Sequence, residues 1–355
     1  MAPDKTHCSI LRLWPAAAAA ALAVAALATA QTAAVRENND FYDNEPFVEL
    51  AFGPLEVVGE VAGPGRVDLA ALPLRTVMVR EARSGQNGVA EFIGSYVYQG
   101  PSLFDILREF VVKKKDEAEF SSVVDLLVIV ENADGEKAVF SWGEVFYPSV
   151  LHRVIVARKA APIVPSKTGE RWPLPRRARV VAANDLIADR TIEDPVRVRV
   201  VSVPLNVPVE KGLTPLRSPS FRVVAPAGPV EMMGEWPRGL ASRAIPAVFF
   251  GRGRGFHGIS RFEGVPMSEA LKGSLPADAP GLRRGYVVVA GADGYRAAFT
   301  VSELVNRNDN GGFLLCDRGD GEGGRFTVFP APDFFSDRAV KAIKEIHVRT
   351  LPPER

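Results

Sequence analysis

The sequence predicts an α+β fold built from two tandem copies of one domain, each with a mainly antiparallel sheet. The first observation is an internal repeat, residues 133–145 and 292–304, in which six of thirteen positions are identical. Each copy runs from an apolar stretch through Asp-Gly into a second apolar stretch, which is the pattern of a β-hairpin. Ser or Thr placed three residues before Glu then predicts a capped helix. A repeat of this size determines the architecture of a long chain.

Two further blocks flank this repeat in the same order. Residues 98–107 correspond to residues 262–271, where an aromatic-x-Gly turn precedes a short helix with apolar residues at 3/4 spacing. Residues 185–190 read Asp-x-x-x-Asp-Arg, as do residues 333–338, and each block leads into a closing strand. Three matched blocks therefore support two copies of one domain.

Together these blocks resemble the molybdopterin-binding domain of sulfite-oxidase-type oxidoreductases. The second copy fits the family pattern better, because Tyr295 supplies an aromatic residue where the first copy has Glu136. The family fold is a mixed α+β domain with mainly antiparallel sheet, in agreement with the hairpins. The resemblance therefore implies two tandem sulfite-oxidase-like mixed α/β domains over most of the chain.

The N-terminus has the features of a targeting segment. Lys5 and Arg12 precede the Ala/Leu/Val-rich stretch 15–28, and Ala28-Thr29-Ala30 is an A-x-A cleavage pattern. The apolar stretch is shorter than the roughly 20 residues of a transmembrane helix, so we expect a cleaved signal and a periplasmic or secreted chain without a membrane span. The predicted order is signal peptide 1–30, exposed lead-in 31–46, copy 1 at 47–203, a Pro-rich linker at 204–219 and copy 2 at 220–351.

The net charge excludes one class of function. The chain has 43 Lys and Arg against 42 Asp and Glu, and removing Lys5, Arg12 and Asp4 with the signal leaves 41 of each sign. A chain near neutrality is not a nucleic-acid binder that depends on bulk charge. We therefore expect a small-molecule or protein ligand.

Cysteine usage limits what the resemblance implies. In the family, a Cys thiolate upstream of the aromatic-x-Gly turn ligates molybdenum, but neither 77–99 nor 247–263 contains Cys. The one Cys after the signal, Cys316, aligns with Ala157, and we expect it to be a buried small residue. A relocated metal ligand or a reactive thiol is the alternative. No other side chain nearby offers a soft thiolate, so enzymatic activity stays an open question.

A Gly-rich loop at 251–258 offers a second candidate site. It lies where the family places its cofactor-bearing loop, and its glycines allow close approach of a ligand to the backbone. Arg252, Arg254 and His257 could donate charge-assisted hydrogen bonds to phosphate, sulfate, carboxylate or a pterin. The alternative is a solvated hairpin loop without a ligand.

Other polar residues have simpler interpretations. Asp before Gly is typical of turns, and Glu three residues after Ser or Thr is typical of caps. The recurring Asp-Arg pairs predict structural salt bridges or helix caps. No Ser-His-Asp, phosphate-loop, dinucleotide or haem motif is present. The residues concerned are Asp134, Asp293, Glu144, Glu303, Asp189-Arg190 and Asp337-Arg338, together with His152 and His347, which have no second ligand at metal spacing.

The leading hypothesis from the sequence is an exported, divergent protein that lacks the molybdenum-ligating Cys. It would bind a small anionic or pterin-like ligand, or a protein partner, through copy 2 and the cleft between the copies. No resident cofactor is expected. One alternative is an active molybdopterin-dependent oxidoreductase that holds its cofactor without a Cys ligand or uses Cys316. Another is a structural or electron-transfer subunit of an exported complex with a redox protein partner.

Overall fold

The computed structural model describes residues 45–85, 88–225, 231–319, 321 and 323–352. The predicted signal peptide and most of the lead-in lie outside these residues. Residues 45–163 and 170–352 belong to one compact unit, and residues 164–169 belong to a second. Both repeat copies, apart from the six residues 164–169, therefore contribute to a single unit.

Strands dominate the described residues, and the helices are one or two turns long. The strands are β1 Val48–Glu49, β2 Leu55–Gly59, β3 Gly65–Val67, β4 Arg75–Ser84, β5 Ala90–Gly100, β6 Leu126–Asn132, β7 Lys137–Ser141, β8 Val154–Ala157, β9 Lys159–Pro162, β10 Arg179–Ala182, β11 Pro195–Ser202, β12 Phe221–Val224, β13 Glu231–Met233, β14 Arg243–Gly251, β15 Gly255–Pro266, β16 Gly285–Gly291, β17 Arg296–Thr300, β18 Phe313–Cys316, β19 Thr327–Pro330 and β20 Ile343–Thr350. The helices are α1 Leu103–Leu107, α2 Trp142–Phe146, α3 Met267–Ala270, α4 Ala279–Arg284 and α5 Val301–Val305, with a 3₁₀ turn at Ser336–Arg338.

Each copy contributes a five-stranded sheet with the same strand order. The orders are β3-β2-β11-β6-β7 in copy 1 and β13-β12-β20-β16-β17 in copy 2. In each sheet one pair is parallel, β2 with β11 and β12 with β20, and the other pairs are antiparallel. The predicted α+β class with mainly antiparallel sheet is therefore confirmed.

The central strands are apolar throughout because both faces of each sheet are covered. In β6, Val128 and Val130 point into the core of copy 1, whereas Leu127 and Ile129 point into a separate cluster. That cluster, which we call the inter-sheet core, also receives side chains from β16 and β17 of copy 2 and from the predicted linker. Its buried members are Leu127, Ile129, Val139, Val203, Leu205, Val207, Tyr286, Val288, Ala290 and Ala298. The two sheets thus pack face to face, and alternate linker residues fill the space between them.

Backbone contacts between the copies are reciprocal. Phe334 N donates to Tyr147 O at 2.6 Å, and at the equivalent position Leu186 N donates to Asn306 O at 2.8 Å. The residue after each helix therefore pairs with the Asp-x-x-x-Asp-Arg loop of the other copy. Reciprocity of this kind is the property of a two-fold symmetric dimer interface, here formed within one chain.

The Asp-x-x-x-Asp-Arg blocks form buried ion pairs through the first Asp and the Arg. Arg190 donates two hydrogen bonds to Asp185 and two to Glu144. Arg338 likewise binds Asp333 and Glu303. The second Asp, directly before each Arg, takes no part in these ion pairs because its side chain points to a long hairpin instead.

The second Asp of each block anchors the hairpin of its own copy. Asp189 accepts hydrogen bonds from the backbone N and the hydroxyl of Ser84, at the end of β4. Asp337 accepts one from Arg252 N at the tip of the β14–β15 hairpin, at 3.1 Å. In each block, therefore, the Arg forms an ion pair near the contact between the copies, and the neighbouring Asp binds a hairpin at the periphery.

The turn prediction is confirmed, and the capping prediction holds in part. Gly135 and Gly294 have φ of +90° and +77°, the left-handed region that an Asp-Gly turn requires. Thr300 and Glu303 form a complete capping box at α5. At α2, Ser141 caps the helix, but the Glu144 carboxylate binds Arg190 instead of the cap backbone. The attraction of a buried guanidinium is stronger than that of an amide.

The ion cluster has more carboxylates than guanidiniums, and this predicts a pH dependence. Four buried carboxylates share Arg190 and Arg338, and Ser141 donates to Glu303 across the copies at 2.6 Å. Burial, with repulsion from Glu303 and in spite of attraction by Arg190, raises the pKa of Glu144 to about 7.

We expect the free energy of unfolding to fall as pH rises from about 5 to 7.5. Between the ordinary pKa of 4.5 and the raised value, the folded state holds a proton on Glu144 that the unfolded state has released. The free energy of unfolding would be measured by urea unfolding at pH 5 and at pH 7.5. Between these two values, Glu144→Gln should lose less stability than the parent, by on the order of 2 kcal/mol. The lowered pKa of His152 acts in the opposite direction but is common to both proteins. Equal pH slopes for parent and variant would contradict the prediction.

Candidate functional site

The glycine of each aromatic-x-Gly motif lies within a strand, β5 or β15, and the predicted turn is wrong because both glycines pair in the sheet. A Cβ on Gly100 would lie 1.9 Å from Val156 O, and one on Gly264 would lie 2.2 Å from Leu315 O. No side chain fits at such distances, so both positions require glycine. The same approach places Cys316 opposite Gly264 in the β15–β18 ladder.

Cys316 is buried at the end of β18. The residue is 2% exposed, and burial raises the pKa of its thiol to about 12. The prediction of a buried small residue at this position is therefore confirmed. Among the described residues, no three His, Cys, Asp or Glu side chains are grouped to hold a metal ion.

The structure separates the three predicted loop residues. Arg252 and Arg254 are exposed at the tip of the β14–β15 hairpin, which is closed by the pair Gly251 and Gly255. His257 follows the tip and lies against Phe249, with ring centroids 5.5 Å apart. Of these three residues, only His257 lines the pocket beside the β14–β15 hairpin.

That pocket also contains Cys316, and we call it the Cys316 pocket. It has a volume of about 220 Å³ and lies beside the β14–β15 hairpin. Phe262 and Phe329 stack at 3.7 Å with planes 7° apart, and Arg318 lies 5.8 Å from the Phe262 ring centroid. The lining residues are Phe249, His257, Ser260, Phe262, Cys316, Arg318, Thr327, Val328, Phe329, Ala339 and Lys341. This lining combines two cationic side chains, an imidazole and two hydroxyls with an aromatic surface.

Such a lining suits an anion with a flat or apolar body. Arg318 and Lys341 supply positive charge, and Ser260 and Thr327 supply hydroxyl donors. The stacked phenyl rings offer an apolar surface to the rest of the ligand. The sequence indicated His257 and Cys316 separately, whereas it contained no signal for Arg318 or Lys341, which lie in the segments that follow β18 and precede β20.

The equivalent place in copy 1 has a different electrostatic character. By the matched blocks, Tyr96 replaces Ser260, Arg179 replaces Thr327 and Glu193 replaces Lys341 in a pocket of about 500 Å³. Arg179 there is paired with Glu193 and with Glu81. Arg179 in copy 1 is therefore neutralised by carboxylates of the protein.

A third polar cluster was missed by the sequence analysis. Ser102 Oγ lies 2.9 Å from His152 Nδ1, and Asp105 lies 3.5 Å from the same nitrogen. Although burial acts to raise it, hydrogen bonds from Arg75 and Ser102 lower the pKa of Asp105 to about 2. In a catalytic triad, Ser and Asp bind different ring nitrogens, and Ser102 here is a fully buried helix cap. We assign the cluster a structural role.

Comparison with known proteins gives little further constraint. No family model matches the chain, and no curated protein matches it. Among solved structures, the crystal structure of the sulfane dehydrogenase SoxCD from Paracoccus pantotrophus is similar over 86% of this chain and 80% of that chain, with 16% identity and a TM-score of 0.30. A TM-score this low supports no statement about function. Within the described ranges, no helix is both long enough and apolar enough to cross a membrane.

Proposed function

We propose that this protein binds a small anionic ligand in the Cys316 pocket of copy 2. The observation that carries the proposal is the grouping of Arg318, Lys341 and His257 around the stacked rings of Phe262 and Phe329. Cationic donors beside an aromatic surface suit an anion with an apolar body. A pterin-like anion and a carboxylate both meet this description.

The proposal regards the chain as a divergent, exported sulfite-oxidase-like protein. The signal-like residues 1–30 support a periplasmic or secreted location, and the repeated blocks support tandem sulfite-oxidase-like domains. Neither 77–99 nor 247–263 contains the Cys that the resemblance would require as molybdenum ligand. No catalytic residue and no resident cofactor form part of the proposal.

Calorimetry on the mature protein tests the anion site. Sulfate, phosphate and benzoate should be compared as ligands, since benzoate adds a flat apolar body to the charge. We expect Arg318→Ala to weaken the best of these by about tenfold or more, because a hydrogen bond to a charged group contributes about 1.5–3 kcal/mol. Arg238→Ala, at an exposed site in the same copy, is the matched control. Equal affinities for parent and Arg318→Ala would reject the pocket.

The hairpin residues provide a second comparison. Arg252 and Arg254 are absent from the pocket lining, so the double variant Arg252→Ala/Arg254→Ala should bind like the parent. His257→Ala should weaken binding. The reverse result would move the anion site from the pocket to the hairpin tip.

Elemental analysis distinguishes the oxidoreductase alternative. The protein would be exported from a host that makes and inserts molybdopterin, and molybdenum would be measured per chain. About one equivalent that disappears in Cys316→Ser would replace the binding proposal with a molybdopterin-dependent oxidoreductase, with Cys316 as metal ligand. Pterin without metal would instead identify the anion as a retained pterin.

A further inference from the structure

The β14–β15 hairpin extends from its sheet as a two-stranded ribbon. β18 pairs with β15 only at residues 264–266, and between residues 244 and 263 no third strand of the described chain pairs with the hairpin. One face of the ribbon packs on Leu314, Cys316 and Phe329, and its side chains are Ile245, Ala247, Phe249 and Phe262. Strand alternation turns the opposite face away from the Cys316 pocket. We call this opposite face the outer face.

The outer face is apolar and exposed. Residues two apart on a strand share a face, as do directly paired residues. Val248 and Phe250 therefore lie on the outer face with their partners Ile259 and Phe256. Val248, Phe256 and Ile259 are 61%, 62% and 75% exposed. Phe250 lies against the exposed Phe334, with ring centroids 5.7 Å apart, so the five side chains form one apolar strip of the kind that marks a contact surface.

The equivalent hairpin of copy 1 shows that the fold does not require this strip. Each hairpin has a register shift at the same place, after Glu81 in copy 1 and after Phe249 in copy 2. Counted from that shift, Arg80 and Ser95 pair where copy 2 has Val248 and Ile259. Arg80 is exposed, as is usual for a cation on a solvated face. Copy 2 therefore has an apolar pair where the same fold accepts a polar one.

The charge of the hairpin selects the kind of surface that it suits. Residues 243–262 contain four Arg and neither Asp nor Glu, whereas the equivalent residues 75–98 contain three Arg and two Glu. Arg252 and Arg254 are exposed at the tip, and the exposed Arg261 pairs with Pro246 at the other end of the strip. Apolar side chains bordered by cations fit the boundary between the acyl chains and the phosphates of an anionic bilayer.

We propose that the outer face of the β14–β15 hairpin docks on an anionic lipid surface. Val248, Phe256 and Ile259 enter the boundary below the headgroups. The two Arg at the tip and Arg261 bind the lipid phosphates. The attachment is to the membrane surface and involves no span. Because the Cys316 pocket lies on the opposite face of the hairpin, this attachment does not depend on the anion site of the proposed function.

Co-sedimentation of the mature protein with vesicles tests the attachment. The vesicles contain phosphatidylglycerol and phosphatidylcholine in equal amounts, and vesicles of phosphatidylcholine alone are the comparison. We expect binding to the anionic vesicles that weakens as salt increases. Binding to the neutral vesicles should be at least about tenfold weaker. No binding to the anionic vesicles, or equal binding to both kinds, would overturn the proposal.

The polar pair of copy 1 provides a variant that separates insertion from charge attraction. Val248→Arg/Ile259→Ser removes the centre of the apolar strip and adds one positive charge. Binding to the anionic vesicles should fall by about tenfold or more, because less apolar surface is buried, although charge attraction alone would increase it. Arg80→Ala in copy 1 is the control and should bind like the parent. A thermal transition like that of the parent shows that each variant is folded, and unchanged or tighter binding by Val248→Arg/Ile259→Ser would reject insertion.

A second pair of variants tests the cations at the tip. Arg252→Ala/Arg254→Ala should bind the anionic vesicles about twentyfold more weakly, since each Arg near such a surface contributes about fivefold. Lys113→Ala/Lys115→Ala removes two exposed cations of copy 1 and should bind like the parent. Equal losses in the two double variants would assign the binding to net charge and overturn the role of the hairpin.

Fluorescence distinguishes a lipid surface from a soluble partner. Phe256→Trp places an indole on the outer face, and acyl chains that contain bromine should quench its emission, measured as the difference from the parent. Phe92→Trp, at the equivalent position of copy 1, should not be quenched. Self-association, or binding of a single-stranded oligonucleotide, that is lost in Val248→Arg/Ile259→Ser while lipid quenching is absent would replace the lipid surface with a second copy or a nucleic acid.

Discussion

Replacing Arg338 with Met should lower the free energy of unfolding by about 3–5 kcal/mol. The guanidinium is 1% exposed and binds Asp333 and Glu303, with Ser141 of the other copy at 3.1 Å. It also lies over the Phe299 ring at 4.8 Å. Removal of the cation leaves two buried carboxylates without their charge partner, which costs more free energy than the pair itself contributes. Urea unfolding at pH 7 would measure the loss.

Two controls give this prediction its specificity. Arg238→Met, at a side chain that is 86% exposed, should change the stability by less than about 0.5 kcal/mol. Lowering the pH to 5 should recover part of the loss in Arg338→Met, because burial already raises the pKa of Asp333 to about 6 in the parent. A loss below about 1 kcal/mol at pH 7, or no recovery at pH 5, would contradict the assigned role.

Replacing Gly264 with Ala should cost about 3 kcal/mol or more and should also abolish ligand binding. The new Cβ would lie 2.2 Å from Leu315 O, and a backbone carbonyl within a sheet cannot move away as a flexible side chain can. Strand β15 would have to separate from β18, and Cys316 with its pocket would shift. Thermal unfolding and benzoate calorimetry on one preparation would measure both effects.

The repeat supplies an internal control for this variant. Gly100→Ala places a Cβ 1.9 Å from Val156 O at the equivalent position of copy 1. It should therefore destabilise the protein to a similar extent. Because Gly100 lies in copy 1 and the pocket lies in copy 2, the folded fraction of Gly100→Ala should still bind benzoate. Gly312→Ala, with no atom within 4 Å of the new Cβ, should change neither property. Loss of binding in Gly100→Ala would show that the effect is global unfolding.

Local chemistry explains which features could be predicted. The Asp-Gly turns, the Ser and Thr caps and the alternation of strand with turn depend on residues within a few positions of one another. The sequence alone therefore determined the repeat, the α+β class, the hairpin at 251–258 and the separation of Cys316 from the family's ligand position. A comparison of the two copies also indicated that Cys316 replaces a small buried residue, Ala157.

The tertiary structure decided the partners. Arg190 reaches Glu144, which is 46 residues away in the same copy, because copy 1 folds back on itself. Ser141 reaches Glu303, which is 162 residues away, because the two copies pack reciprocally. The Cys316 pocket likewise combines side chains from the four strands β14, β15, β18 and β19 with Arg318, Ala339 and Lys341. Sequence patterns report local conformation, whereas burial, charge balance and an exposed sheet face depend on which distant segments pack together, and so the site was visible only in the fold.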